Sequence, residues 1–233
     1  MKAEVVNRSD DGQKIRVRVT GVDVELVNAL RRTVLSKLPS FAIDEVDVYE
    51  NNSVFFNEYL ANRLGLVPLT YEEGIGDDVK VTLSLNSDGP CTVYSGELRS
   101  TDEKIRPFRE TIPIAKLGAN QRIRLEAVAI KGNAAKHAKF QCGLASYSQV
   151  PDVGKTKSLC GVHAAEAGLE PKEGVSPEKC EACALDEKGE LKYRDDEFIF
   201  FIESYNNLSA EELLDKAIEL MAEEAEVISK ELK

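Results

Sequence analysis

Four of the chain's five cysteines lie between positions 142 and 183, and their spacing names the first candidate chemistry. Cys160-Gly161-Val162-His163 is a Cys-x2-His pair and Cys180-Glu181-Ala182-Cys183 a Cys-x2-Cys pair. Soft thiolates and an imidazole at such short spacings suit a tetrahedral structural zinc ion. Cys142 is a further thiol that can stand in for the fourth ligand. A degenerate site that binds nothing is the alternative. In each case the role is structural, since no substrate pocket is implied. The odd count, with no secretory leader in view, argues against a disulfide framework.

Other chemistry is scarce. The sequence holds no Gly-rich phosphate loop, no nucleophile elbow and no metalloprotease motif, and its two histidines leave few candidates for acid–base catalysis. The expectation is a non-catalytic protein. The 233 residues carry 41 acids against 30 bases, a net charge of −11. Nucleic-acid binding draws most of its affinity from phosphate neutralisation, so direct contact with DNA or RNA is not expected. No apolar run approaches the roughly 20 residues that span a bilayer. The opening Met1-Lys2-Ala3-Glu4 leads straight into patterned sequence, so a cytoplasmic location without membrane contact is expected.

The elements that must carry these residues are legible from periodicity. Ile15, Val17 and Val19 alternate with Arg16, Arg18 and Thr20, and Asp11-Gly12 offers a turn, which predicts an opening β-hairpin. Val24, Val27, Leu30, Val34 and Leu38 then step by three and four, predicting a helix over 23–38 that Pro39 ends. Leu26 and Leu35 widen its apolar face beyond what one sheet needs. A strand from Ala42 to Tyr49, a short helix near Asn57 to Leu64 and mostly strand over 79–130 follow. Residues 131–192 read as loop-rich and in need of a staple. Phe198-Ile199-Phe200-Phe201-Ile202 reads as a buried strand.

A final helix is predicted from about Ala210 to Leu232, with Ser209 and Glu212 as a capping box. Leu214, Ile218, Met221, Ala225, Ile228 and Leu232 are spaced 4, 3, 4, 3, 4, the seam of a helix that packs along another helix. Docking on its own sheet is the simpler reading. Its length of some 35 Å argues instead for a partner covering the overhang.

One stretch carries more than pattern. Asn28-Ala29-Leu30-Arg31-Arg32-Thr33-Val34-Leu35-Ser36 is followed by Pro39, Ala42-Ile43-Asp44, Val46-Asp47-Val48-Tyr49-Glu50-Asn51-Asn52-Ser53, and Glu58-Tyr59-Leu60-Ala61-Asn62-Arg63-Leu64-Gly65-Leu66-Val67-Pro68-Leu69. This resembles the signature of the α-like subunits of multisubunit DNA-directed RNA polymerases, the archaeal D-type members and their eukaryotic counterparts above all. Gly89–Gly96 and Lys136-His137-Ala138-Lys139-Phe140 are weaker echoes of the same family.

The resemblance implies an α+β fold. Residues 1–45 and 193–233 would form a discontinuous α/β dimerisation domain, 46–142 an inserted mainly β domain, and 143–192 a small Cys-containing ferredoxin-like subdomain. It implies a scaffold that pairs with a small α-like subunit, subunit L, and nucleates assembly with other small subunits and a large polymerase subunit. Val27, Leu30, Arg31, Arg32, Val34, Leu214, Ile218, Met221 and Ile228 would supply the partner surfaces, the arginine pair towards the large subunit. Some relatives bind an iron–sulfur cluster, 3Fe-4S or 4Fe-4S, in the Cys-containing subdomain. Here Cys160, Cys180 and Cys183 match, while Asp186 stands where a fourth cysteine belongs. Asp186 would complete a cluster, or His163 a zinc site, and an empty site remains open. A ferredoxin-like electron carrier or a zinc-binding interaction protein is the alternative function.

Overall fold

A computed structural model describes residues 1–76, 78–151 and 193–232. Strands β1 (Lys2–Arg8) and β2 (Lys14–Thr20) precede helix α1 (Val24–Ser36), strand β3 (Pro39–Asn51) and helix α2 (Asn57–Gly65). Six strands follow: β4 (Lys80–Asp88), β5 (Cys91–Tyr94), β6 (Arg99–Ser100), β7 (Pro113–Leu117), β8 (Arg122–Asn133) and β9 (Gly143–Pro151). Strand β10 (Tyr193–Ser204) and helix α3 (Ala210–Glu231) close the described chain. This is an α+β architecture in two units, the first of which is assembled from separate stretches of chain.

The first unit gathers Met1–Val34, Leu144–Glu203 and Ala210–Lys233. Its sheet has the order β1-β2-β10-β9. The hairpin forms because Ser9 and Lys14 close the turn: the Ser9 amide donates to the Lys14 carbonyl at 2.9 Å, and the Lys14 amide to Ser9 Oγ at 2.9 Å. Gly12 takes φ +69°, a left-handed conformation that glycine adopts without a Cβ clash. Strand β2 then pairs antiparallel with β10, from Thr20 opposite Glu197 to Lys14 opposite Glu203. Phe198, Phe200 and Ile202 are buried, as the unbroken apolar run predicts, and Tyr147 meets Phe198 edge-on at 5.8 Å. Glu197 is buried in the same strand. Burial alone would raise its carboxyl, but hydrogen bonds from Arg194 and Arg18 outweigh that and hold it below the usual range.

The second unit comprises Leu35–Gly143 and Ser204–Ser209. Its main sheet is antiparallel in the order β3-β8-β4-β6, beside a two-stranded β5-β7 pair. The clean alternation of β4 puts Val81, Leu83 and Leu85 inside, where they join Ile123 and Leu125 of β8 and Leu60 and Leu64 of α2. The short segment after β10 belongs here because Asn207 clamps it. Its Oδ1 accepts from the Tyr71 amide at 2.5 Å and its Nδ2 donates to the Tyr71 carbonyl at 3.0 Å.

Three local readings change. The first helix stops at Ser36, and Pro39 opens β3 instead of merely ending the helix. Proline suits the first position of a strand, where its missing N–H is least costly. Strand β3 consequently runs 13 residues, well beyond Ala42 to Tyr49. The stretch read as loop from 131 contains the end of β8 and all of β9. Strand β9 escapes notice because two of its buried positions, Gly143 and Ala145, are too small to make an apolar alternation, and the buried Val150 falls out of phase with them.

Candidate partner interface

Helix α3 is attached at its start and open along one side. The Ala210 amide donates to the Gly12 carbonyl at 2.9 Å, and Arg8 pairs with Glu211, so the first turn is tied to the hairpin. Ala210, Leu213 and Ala217 are buried, and α3 packs against β2. Leu214 and Ile218 stand on the adjacent stripe and face elsewhere.

That stripe forms one wall of an apolar groove of about 370 Å³. Leu214, Ile218, Met221, Ala222 and Ala225 line it from α3, and Leu26, Val27 and Leu30 from α1. Val17, Val19, Val22 and Phe200 line it from the sheet and its edge, with Met1 and Ala3 at the terminus. Ile218 is 47% exposed and Leu26 46%. Beyond the groove, Val227, Ile228 and Leu232 are more exposed still. A contiguous apolar surface of this kind on a charged protein marks a place where another chain docks.

Of the residues expected at a partner surface, the groove brings together Val27, Leu30, Leu214, Ile218 and Met221. Ile228 lies past its end on the overhanging turns of α3. Val34 is only 1% exposed and does not line the groove, so it has no surface to offer a partner. Arg31 is half-buried, and its Nε and Nη2 both donate to Asn28 Oδ1, at 3.1 and 2.9 Å. Asn28 thus fixes the guanidinium one turn ahead on the same helix. Arg32 is exposed. The sheet residues in the groove were missed in the sequence. The alternation of Val17 and Val19 marks them as one face, but not as a face shared with two helices.

His137 and Cys142 each take a local place in the fold. His137 Nδ1 accepts from the Lys139 amide at 3.1 Å, capping the 3-10 turn Ala138–Phe140. Cys142 is buried, and burial pushes its thiol up to about 12, which favours the protonated packing residue over a thiolate ligand. Cys160, His163, Cys180, Cys183 and Asp186 lie outside the described residues, as does the ferredoxin-like subdomain. Among the described residues no group of three His, Cys, Asp or Glu side chains could hold a metal ion. No helix among them is long and apolar enough to cross a membrane.

A discontinuous α/β unit whose two helices border an open apolar groove defines a dimerisation module. Residues 16–225 match the family described as the RNA polymerase Rpb3/Rpb11 dimerisation domain, and the chain belongs to that family. It is 34% identical to a protein named DNA-directed RNA polymerase subunit Rpo3 from Pyrococcus horikoshii, over 100% of this chain and 98% of the relative. It is 35% identical to the Pyrobaculum arsenaticum protein of the same name, over 94% and 92%. The Thermococcus kodakarensis protein of that name is 43% identical over 152 residues, 62% of this chain and 59% of the relative. These relatives bear out the resemblance read from Asn28 to Leu69. They lend nothing to the electron-carrier alternative.

Proposed function

We propose that the chain is a non-catalytic assembly subunit of a DNA-directed RNA polymerase, pairing through the groove between α1 and α3 with a small α-like subunit of the L type. The observation that carries this reading is the row Leu214, Ile218, Met221 and Ala225, presented beside Leu26 and Leu30 and not covered by the chain's own sheet. Burial of such surface drives stable pairing. The pair is then the platform on which other small subunits and a large subunit assemble, in the cytoplasm, with the arginines of α1 towards the large subunit. The polymerase chemistry belongs to other subunits.

Co-expression with a small α-like subunit tests the reading. A one-to-one complex is expected on size-exclusion chromatography with light scattering, and Ile218→Asp is expected to abolish it. A wild-type chain that stays monomeric beside that subunit would overturn it.

Cys160, Cys180 and Cys183 are proposed as thiolate ligands of a structural centre, completed by Asp186 as an iron–sulfur cluster or by His163 as a zinc site. Their spacing in the sequence and the family's habit support this. Anaerobic purification with metal analysis decides it. Iron with broad absorption near ~400 nm indicates a cluster, stoichiometric zinc the tetrahedral site, and neither metal an empty one.

A further inference from the structure

We propose that Asp11, at the tip of the β1–β2 hairpin, is a positioning residue for pairing that sets the angle of α3 through a single peptide unit. The inference rests on the groove being a pairing surface and adds what holds its α3 wall in place. Asp11 Oδ1 accepts from Ser9 Oγ at 2.5 Å and from the Gln13 amide at 3.0 Å. The Gly12 amide donates to the Ser9 carbonyl at 3.0 Å. The Gly12–Gln13 peptide is thereby gripped by its N–H. In a planar trans peptide the carbonyl points the opposite way. That carbonyl, of Gly12, accepts from the Ala210 amide at 2.9 Å. Ala210 opens α3, where the first N–H groups have no acceptor within the helix, and it is fully buried. The Asp11 carboxylate and the first amide of α3 therefore hold opposite sides of one peptide plane. Asp11 itself is exposed and does not line the groove.

This tie matters because the burial of α3 runs along a short line. Its buried residues are Ala210, Leu213 and Ala217, and among the described residues none of α3 beyond Ala217 is buried. At 1.5 Å per residue, those three span about 10 Å of a helix about 33 Å long. Contact along so short a line fixes which stripe faces the sheet but resists tilting weakly. A tilt of about 10° at Ala210 carries Ile218 by about 2 Å and Ile228 by about 5 Å. Helices interlock side chains at axial separations of about 8–10 Å, so shifts of that size undo the fit of the seam. Arg8 and Glu211 add a second tie nearby, but both are exposed and their attraction is screened.

The test compares Asp11→Ala and Asp11→Asn with wild type, in the full chain, for affinity towards a co-purified small α-like subunit. Urea midpoints of the isolated chains measure stability, and residual dipolar couplings give the direction of α3 against the β2–β10 pair. A helix that holds the competent angle for about a tenth of the time pairs about tenfold more weakly. Asp11→Ala is expected to show that loss, with shifted or averaged α3 couplings and an unchanged midpoint. Asp11→Asn keeps the oxygen acceptor and is expected to restore pairing to within about twofold of wild type. Unchanged affinity in Asp11→Ala overturns the proposal, as does an Asn variant no better than the Ala one. Weaker pairing with unaltered couplings overturns it too, making Asp11 a direct contact. Weaker pairing that only follows a lowered midpoint overturns it by making Asp11 a plain residue of the fold. Failure of the groove reading itself is read separately, as pairing that survives Ile218→Asp.

Discussion

The Lys139 ammonium stands 2.5 Å from the Asp44 carboxylate, tying the turn before β9 to the middle of β3 within the second unit. Ser40 Oγ donates to the Phe140 carbonyl at 2.7 Å beside it. The hydrogen bond from Lys139 holds the Asp44 carboxyl below its ordinary value despite partial burial. A carboxyl depressed in the folded state stabilises above the unfolded value, and that contribution disappears as pH falls through the folded one. Asp44→Asn is expected to cost about 0.5–1 kcal/mol at neutral pH, discounted for solvent screening, read as a lower urea midpoint. The gap between variant and wild type should close in acid. A gap that persists unchanged there would contradict the assignment.

Glu197 is the more consequential carboxylate. It is 6% exposed and bridges Arg18 on β2 and Arg194 on its own strand. Removing Arg18 leaves a buried charge with one exposed partner. Arg18→Leu is expected to destabilise the first unit by about 2–3 kcal/mol, near the low end for broken buried pairs because Arg194 remains. The carboxyl is depressed in the wild type, so its contribution is present at neutral pH and lost in acid. The variant's acid-unfolding midpoint, followed by circular dichroism, should therefore move to higher pH.

Neighbouring positions on α3 should separate folding from pairing. Leu213 is 1% exposed and docked on the chain's own sheet, whereas Ile218 is 47% exposed in the groove. Leu213→Ala is expected to cost about 2–4 kcal/mol of stability through lost burial and a residual cavity. Ile218→Asp should change the isolated chain's stability by less than about 0.5 kcal/mol yet abolish capture of the small α-like subunit. Denaturant melts of the isolated variants, run beside a pull-down, give both readouts.

Two glycines predict opposite causes for similar losses. A Cβ on Gly132 would meet the Phe140 ring at 2.9 Å, and that ring is fully buried. Gly132→Ala is expected to cost about 1–3 kcal/mol by overpacking. Phe140→Leu in the same chain should relieve part of it. Gly74 has φ +82° and open space around it, so Gly74→Ala should cost about 1 kcal/mol through the backbone alone, with nothing for a second substitution to relieve. Thermal shifts of the single and double variants distinguish the cases.

What could be read from the chain alone was whatever repeats over a few residues. The step of three and four marks both helices of the groove, and the 4, 3, 4 seam on α3 names Leu214, Ile218 and Met221 from spacing alone. Those signals are local because the turn of a helix and the pleat of a strand are local. Asn28 to Leu69 added the family. Tertiary structure alone decided which stripe of α3 faces inward. Leu213 and Ala217 are buried while the seam stays open, since both stripes are apolar and only the position of β2 chooses between them. It also put Val17, Val19 and Phe200 beside the seam and buried Val34 away from it. It joined Asn207 to Tyr71 across 136 residues. Such contacts depend on strand register and chain reversal, which bring distant residues together by the sum of many pairings. No single stretch of sequence encodes that sum.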